Sequence, residues 1–247
     1  MDTHTIVTVL AAFLVSAFLK GFTGLGFSTI CLGILAMFMD LKLAIPLVFL
    51  PSLCSNIIVM VQAGHFFEAL KRFWPLLLSA IPGLLTGMLL LSHSGSDAPK
   101  ALLGVVMFSY GVFALKNEIM HITPRQETLL QVPVGLISGF VNGLTGSQLM
   151  PIMPYLLSVK MDRNIFIQTI NCAFTLNTLV MMVGLGKLGM VTLPVLYLSG
   201  TGIIPVALGI YLGGILRKRI TDEVFRKAVL VLLVVLGLNL VIMTVIT

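Results

Sequence analysis

The chain has 247 residues, of which 58% are hydrophobic and only 10% are charged. Ordinary soluble domains carry charge on about a quarter of their residues, so this composition excludes a soluble protein and indicates one embedded in a lipid bilayer. At about 20 residues for each crossing, the length allows roughly ten crossings and leaves no room for a separate soluble catalytic or nucleic-acid-binding domain. The net charge of +6 is therefore attributed to membrane topology and not to a nucleic-acid partner.

Ten apolar segments along the chain predict an all-α polytopic membrane protein. The first and second segments and the sixth and seventh form two short pairs, each interrupted by a glycine-rich turn that is expected to break the helix. These turns are GFTGLG at residues 21–26 and GLTGSQ at residues 143–148. Pro46 and Pro51 are expected to loosen the third segment. The ten segments are residues 5–19, 27–39, 41–62, 73–91, 98–115, 132–144, 149–159, 165–185, 190–216 and 224–246.

The chain repeats itself at a shift of 122 residues, which predicts two homologous halves of five segments each. Residues 18–64 and 140–186 share 12 identities in 47 positions without a gap. Hydrophobic bias alone does not align glycine, threonine and aspartate, as in the match of Gly21 with Gly143. The predicted units are residues 1–117 for the first repeat, 118–131 for a cytoplasmic linker and 132–247 for the second repeat.

An odd number of segments in each half places the second repeat upside down relative to the first. Positive charges test this inverted arrangement, because lysine and arginine accumulate in cytoplasmic loops. With Lys20 set aside, five segments per half divide the lysines and arginines eleven to three between the two sides, whereas four segments divide them nine to five. The sequence therefore predicts inverted repeats with both termini outside. Whether each short pair forms two crossings or a re-entrant hairpin stays open.

The sequence pattern does not favour catalysis or metal binding. All nine acidic residues lie in loops or at segment edges, which removes a buried carboxylate for a proton or cation pathway. No serine or cysteine lies in a recognisable nucleophile motif, and no histidine has a second ligand at helical spacing. We predict no enzyme activity, no cofactor and no metal site. A transporter of a soft metal or thiol compound, using methionines such as Met150 and Met153 and the cysteines, stays open as an alternative.

The two glycine-rich breaks are the predicted substrate site. A helix broken inside a bilayer leaves backbone N–H and C=O groups unpaired, which is tolerated only where protein buries them or where they line a polar cavity. A new helix that begins at Ser28 and Thr29, or at Ser147 in the second half, would point its free N–H groups and positive dipole end into the break. This arrangement predicts an anion site. The alternative is that the glycines form small-residue seams between packed helices.

Lys20 lies immediately before the first break, and Asn142 takes the equivalent position in the second half. Lys20 is the only charge in the apolar stretch of residues 5–39. It either supplies a fixed positive charge for an anion or extends to the membrane interface, where a lysine keeps its charge in water. The candidate substrate-binding residues are Lys20, Gly21, Thr23, Gly24, Gly26, Ser28, Asn56, Asn142, Gly143, Thr145, Gly146, Ser147, Gln148, Asn171 and Asn177.

These residues resemble the TauE/SafE family of membrane permeases, the sulfite-exporter-like group. The pattern FLKGFTGLGF at residues 18–27 and its counterpart GFVNGLTG at residues 139–146 carry the resemblance, together with the chain length and the duplicated halves. The resemblance implies export or uptake of small anions, especially sulfur oxyanions and organosulfonates such as sulfite and sulfoacetate, across a bacterial cytoplasmic (inner) membrane.

We therefore predict a secondary transporter for a small anion, with its site near the midplane between the two breaks, as inverted-repeat transporters arrange it. An anion channel of the same architecture is the alternative within this class. A coupling ion, either a proton or sodium, is compatible with the prediction. The particular anion, the coupling ion, the direction of transport and the oligomeric state stay open.

Overall fold

The computed structural model describes residues 3–23, 26–95, 97–116, 121–217 and 222–246, and within them the regular secondary structure is entirely helical, as predicted. Twelve helices form in this part of the chain. They are α1 (Thr3–Thr23), α2 (Phe27–Leu35), α3 (Leu41–Leu47), α4 (Phe49–Ala63), α5 (Phe66–His93), α6 (Asp97–Leu115), α7 (Pro124–Thr145), α8 (Ile152–Ser158), α9 (Arg163–Lys187), α10 (Leu193–Thr201), α11 (Ile203–Arg217) and α12 (Asp222–Ile246).

Seven helical units in the described residues are long and apolar enough to cross a membrane: α1, α5, α6, α7, α9, α10 joined to α11, and α12. The bent pair of α3 and α4 makes an eighth if it is counted as one span. In contrast, α2 and α8 contain only nine and seven residues. They are about 13 and 10 Å long, so neither crosses a hydrocarbon core of about 30 Å on its own.

The first member of each predicted short pair is longer than hydropathy indicates. Segments at residues 5–19 and 132–144 are predicted to be short, but α1 and α7 contain 21 and 22 residues. The start of α7 lies inside the predicted linker at residues 118–131. Thr123 and Gln126 form a capping box there, which satisfies backbone N–H groups that the first turn of a helix leaves free.

The third predicted segment is bent, as its prolines led us to expect. Pro46 lies inside α3, Pro51 lies in the first turn of α4, and the two helices meet at an angle of 43°. Proline has no N–H to donate to the preceding turn, so it interrupts the hydrogen-bond ladder of a helix. The equivalent α9 is one helix of 25 residues, with Gln168 and Ala173 at the positions of the two prolines.

Two pairs of helices pack so closely that backbone meets backbone. α1 runs parallel to α11, and α7 runs parallel to α5, so each pair joins a helix of the first half to a helix of the second. A Cβ added to Gly21 would lie 2.4 Å from the carbonyl oxygen of Ile210, and one added to Gly143 would lie 2.3 Å from that of Leu84. We call these contacts the α1–α11 seam and the α5–α7 seam.

Equivalent helices of the two halves also contact each other directly. α6 packs antiparallel to α12, because Gly104 lies beside Leu240 whereas Gly111 lies beside Leu230. α4 packs against α9. Since α4 also contacts α11 and α9 also contacts α5, this central pair lies between the two seams.

The distribution of polar and apolar side chains suits a protein embedded in lipid. Large apolar residues such as Phe67 and Leu193 are more than four-fifths exposed, at 83% each. Buried polar side chains collect instead where α1, α4, α7 and α9 approach one another, and they include Lys20, Asn56, Asn142 and Asn171. Buried polar groups inside a membrane protein are costly, so this cluster is the candidate for a functional site.

Candidate functional site

Both predicted breaks are confirmed, and each occurs at the last glycine of its motif. Gly26 (φ 87°) precedes α2 as its N-cap, and Gly146 (φ 72°) ends α7. Glycine adopts this left-handed backbone without the steric penalty that a Cβ brings. In the second half, the hydroxyl of Thr145 donates to the carbonyl oxygen of Val141 at 2.7 Å and accepts from the N–H of Ser147 at 3.1 Å, which stabilises the turn.

The helix that follows the break begins differently in the two halves. α2 begins immediately after the break, so Ser28 and Thr29 lie in its first turn as predicted. α8 begins only at Ile152, and the prediction of a helix start at Ser147 is wrong. The residue before a proline is disfavoured in helical backbone, so Pro151 delays the helix. Only the first half therefore presents a helix N-terminus to its break.

Lys20 is buried, with 1% of its surface exposed. Its Nζ donates hydrogen bonds to the hydroxyl of Ser55 at 3.1 Å, to Oδ1 of Asn56, and to Oδ1 of Asn171 at 3.3 Å. All three acceptors are neutral, and among the described residues no ion pair includes this ammonium. The alternative in which Lys20 extends to the membrane interface is therefore wrong, because α4 and α9 supply its partners inside the protein.

A small cavity next to Lys20 is lined by residues of both breaks, among them Gly26 and Gln148. About 10 Å³ is available in it to the centre of a water-sized sphere, which is close to the room one water molecule needs. The Nδ2 of Asn56 is buried without a hydrogen-bond partner. This Lys20 cavity is lined by Lys20, Gly26, Phe27, Ser28, Thr29, Asn56, Gln148, Leu149 and Phe174.

A second cavity of similar size shares Ser28 and Gln148 with the first. Both polar side-chain atoms of Asn142, and Oε1 of Gln148, are buried without partners. The hydroxyls of Thr29 and Ser147 are 3.1 Å apart, which joins the two breaks directly. No charged side chain of the described residues lines this Asn142 cavity. Its lining residues are Ser28, Leu32, Ile45, Val48, Phe49, Ser52, Asn142, Gly146, Gln148, Thr178 and Met181.

The family model described as Sulfite exporter TauE/SafE matches residues 8–240, a range that contains both breaks and both cavities. The chain belongs to the TauE/SafE family. Comparisons with curated proteins and with solved structures gave no match. Family membership identifies an integral membrane transporter and confirms the resemblance carried by residues 18–27 and 139–146.

Two candidate glycines of this TauE/SafE protein lie in helix contacts and line neither cavity. Gly21 belongs to the α1–α11 seam, and Gly143 belongs to the α5–α7 seam. The packing alternative therefore describes these two positions, whereas Gly26 and Gly146 line cavities. The same glycine-rich motif thus contributes both to helix packing and to the polar site.

Four further candidate residues either line neither of the two cavities or lie wholly or partly outside the described residues. Asn171 accepts a hydrogen bond from Lys20 and donates one to the carbonyl oxygen of Ile167 at 2.8 Å. Asn177 is buried but lines neither cavity. The side chain of Thr23 and the whole of Gly24 lie outside the described residues.

Sequence reasoning missed three hydroxyl side chains of the site in the TauE/SafE chain. Ser55 accepts a hydrogen bond from the buried ammonium, while Ser52 and Thr178 line the second cavity. The spacing of polar residues in the sequence could have predicted these hydroxyls. Ser52, Ser55 and Asn56 are three and four residues apart on an otherwise apolar helix, which places them on one face, and Thr178 is the repeat counterpart of Asn56.

Proposed function

We propose that this protein is a secondary transporter for a small anion, a sulfur oxyanion or an organosulfonate, that binds in the Lys20 cavity and crosses the membrane chemically unchanged. One observation carries the proposal: the Nζ of Lys20 is buried and donates hydrogen bonds to three acceptors, as an ammonium does, and all three are neutral. Burying a charge that lacks an opposite charge costs several kcal/mol. A bound anion supplies that opposite charge.

Other groups around the cavity add donors of the kind that an oxyanion accepts. Asn56 has an unpartnered Nδ2, so it has a donor to spare after its Oδ1 has accepted from Lys20. The first turn of α2 also lines the cavity, and Gly26 provides no side-chain cap for it. The backbone N–H groups of a first helical turn have no partners within the helix, and together with the helix dipole they favour an anion.

The size of the cavity indicates that transport requires opening. A sulfite ion has four heavy atoms, whereas the cavity offers the room of about one water molecule. We place the movement between α4 and α9, because these helices supply the partners of Lys20 from opposite halves. The backbone contacts in the two seams favour motion of each seam as a unit. Such movement provides alternating access.

The inverted repeat is part of this proposal. A two-fold axis along the membrane normal would keep equivalent helices parallel, whereas an axis in the membrane plane reverses them. The antiparallel contact of α6 with α12 supports the second arrangement. Together with the eleven-to-three division of positive charges, it supports a protein of the inner membrane with both termini outside.

Cysteine labelling tests this topology. In a variant whose three native cysteines are replaced by alanine, we expect a cysteine at Lys187 to react with an impermeant maleimide added outside intact cells. A cysteine at Lys160 should react only after the membrane is permeabilised. Lys187 is the last residue of α9, Lys160 lies in the loop between α8 and α9, and both are exposed, so access through protein does not complicate the comparison. The opposite pattern would contradict the proposed orientation.

Transport of radiolabelled sulfite into proteoliposomes tests the substrate and the role of Lys20. Loss of one charge-assisted hydrogen bond, worth about 1.5–3 kcal/mol, should raise the half-saturating sulfite concentration of Lys20→Gln by roughly 10- to 150-fold. The unfolding temperature without sulfite should not fall, since the variant removes an uncompensated buried charge. Lys187→Gln, which changes an exposed lysine, is the matched control.

Three outcomes would contradict the proposal. Lys20→Gln with wild-type half-saturation would remove Lys20 from the site. Sulfite flux that does not saturate, with steady ionic conductance, would indicate the anion channel instead. Copper flux that is lost when Met150 and Met153 are replaced would favour the soft-metal alternative, although Met153 is 1% exposed and packs in the hydrophobic core.

A further inference from the structure

The Asn142 cavity differs chemically from the Lys20 cavity beside it. Its polar lining consists of neutral side chains, the amides of Asn142 and Gln148 and the hydroxyls of Ser28, Ser52 and Thr178. Oδ1 of Asn142 and Oε1 of Gln148 are buried acceptors without partners, in residues that are 0% and 7% exposed. Oxygen atoms of this kind are the ligands that hard cations prefer.

We propose that the Asn142 cavity binds a sodium ion that is coupled to anion transport. The inference rests on the proposed anion site and identifies the ion that accompanies the anion. Asn142 is the repeat counterpart of Lys20, so a fixed ammonium in one half corresponds to a neutral amide in the other. A mobile cation beside Asn142 would give the second half the positive charge that Lys20 provides in the first.

The helix termini support a cation here. α7 ends at Gly146, which lines the Asn142 cavity. The last carbonyl oxygens of a helix lack partners within the helix, and its C-terminus carries the negative end of the dipole. The Lys20 cavity has the opposite polarity, because the start of α2 from Gly26 to Thr29 lines it, whereas only Ser28 of this stretch lines the Asn142 cavity. One cavity therefore suits an anion and the other suits a cation.

Sodium fits this cavity better than a proton does. No aspartate, glutamate, histidine or lysine lines it among the described residues, so a proton has no side chain to bind. The available space of about 10 Å³ matches a water-sized particle, and a bare sodium ion is smaller than a water molecule. A divalent cation would ordinarily take carboxylate ligands, which this lining does not supply.

The shared wall of the cavities provides the coupling. Ser28 and Gln148 line both, so the two bound ions would be separated by a single layer of side chains. Without an anion, the charge of Lys20 repels a cation placed next to it. An anion bound at Lys20 offsets that repulsion and so raises the affinity for sodium. By thermodynamic linkage, bound sodium raises the affinity for the anion by the same factor.

Thermal unfolding of the detergent-solubilised full chain, in sodium chloride against choline chloride at equal ionic strength and with the same high concentration of sulfite in both, tests the sodium site directly. We expect sodium to raise the unfolding temperature of the wild type in a saturable manner. Asn142→Ala should raise the half-effective sodium concentration at least tenfold. The matched control is Ser138→Ala, which changes a buried, unpartnered hydroxyl one turn earlier on α7 that lines neither cavity.

Two more variants keep the test decisive if Asn142→Ala does not fold. Asn142→Asp keeps the oxygen ligand and adds a negative charge, so it should lower the half-effective sodium concentration. Asn142→Lys places an ammonium where the ion would lie and should make sulfite binding independent of sodium. Equal unfolding temperatures of the wild type in sodium and choline would overturn the site, as would an unchanged sodium response in all three variants.

The two proposals fail in distinguishable ways. Saturable sulfite transport that continues unchanged in choline overturns the sodium site and leaves the anion proposal standing. A sodium response that depends on Asn142, in a protein that neither binds nor transports sulfite or organosulfonates, supports the sodium site and overturns the proposed substrate.

Discussion

The two halves of the molecule are most alike where their helices pack and least alike where they line the cavities. A Cβ added to Gly87 would lie 2.3 Å from the carbonyl oxygen of Phe140, and one added to Gly213 would lie 2.2 Å from that of Phe18. Phe18 and Phe140 are repeat counterparts, so the two seams use equivalent atoms. A backbone-to-backbone contact accepts only glycine at its closest point, which explains why both halves have it there.

At the cavities the halves differ in charge and in backbone. The buried ammonium of Lys20 corresponds to the amide of Asn142, and the bend between α3 and α4 corresponds to the uninterrupted α9. The α2 helix begins directly after its break, whereas α8 begins five residues beyond Ser147. The comparison teaches that a shared scaffold supports two chemically different cavities, as the proposed binding of an anion and a sodium ion requires.

Substitution at a seam glycine should have the largest effect. Gly213→Ala places a methyl group against the backbone of α1, and overpacking of this kind costs about 3 kcal/mol. Gly87→Ala should cost about the same, because it makes the equivalent contact in the other seam. The free energy of unfolding, measured by SDS titration in mixed micelles, provides the test.

The neighbouring glycine is the matched control for this experiment. A Cβ at Gly214 would meet no atom within 4 Å, and alanine is favoured over glycine in a helix by up to about 1 kcal/mol. Gly214→Ala should therefore be neutral or stabilising. If Gly213→Ala were as stable as Gly214→Ala, the close packing of the α1–α11 seam would be wrong. A large difference between Gly87→Ala and Gly213→Ala would break the equivalence of the two seams.

Hydropathy and repeat analysis predicted the helical class, the breaks and the family, because these depend on composition and local pattern. They could not separate Gly21 from Gly26, since a glycine required by a neighbouring helix and one required by backbone conformation look alike in sequence. The burial of Lys20 also depends on partners that lie more than 30 residues away in the chain or in the other half. Only the tertiary structure supplies those contacts.

The errors in helix boundaries have local causes. Hydropathy placed the start of α7 at residue 132, because the first two turns of this helix are polar. The capping box of Thr123 and Gln126, which marks the true start, is visible in the sequence. The start predicted at Ser147 relied on a favourable cap residue and neglected Pro151, which follows four residues later. In both cases a local signal in the sequence, the capping box or the proline, determines the helix boundary.

Substitution of the glycines at the two breaks should have smaller effects on stability, and these effects should differ between the two halves. Gly26→Ala and Gly146→Ala each place a Cβ on left-handed backbone, a strain of about 1–2 kcal/mol. At Gly146 the new atom would also lie 2.6 Å from Cδ1 of Leu32, whereas at Gly26 the nearest atom is 3.4 Å away. Gly189→Ala, at the same φ of 72° with no atom within 4 Å, isolates the strain alone.

We therefore expect the loss of unfolding free energy to be similar for Gly26→Ala and Gly189→Ala and about 1 kcal/mol larger for Gly146→Ala, because only the last change adds overpacking. The displaced Leu32 side chain lines the Asn142 cavity, so Gly146→Ala should also weaken the sodium response while leaving the half-saturating sulfite concentration, measured at saturating sodium, close to that of the wild type. Equal losses at all three glycines would mean that Leu32 moves aside freely. The close fit of the second cavity around a small ion would then be wrong, and the chemical difference between the two cavities would rest on the charge at Lys20 alone.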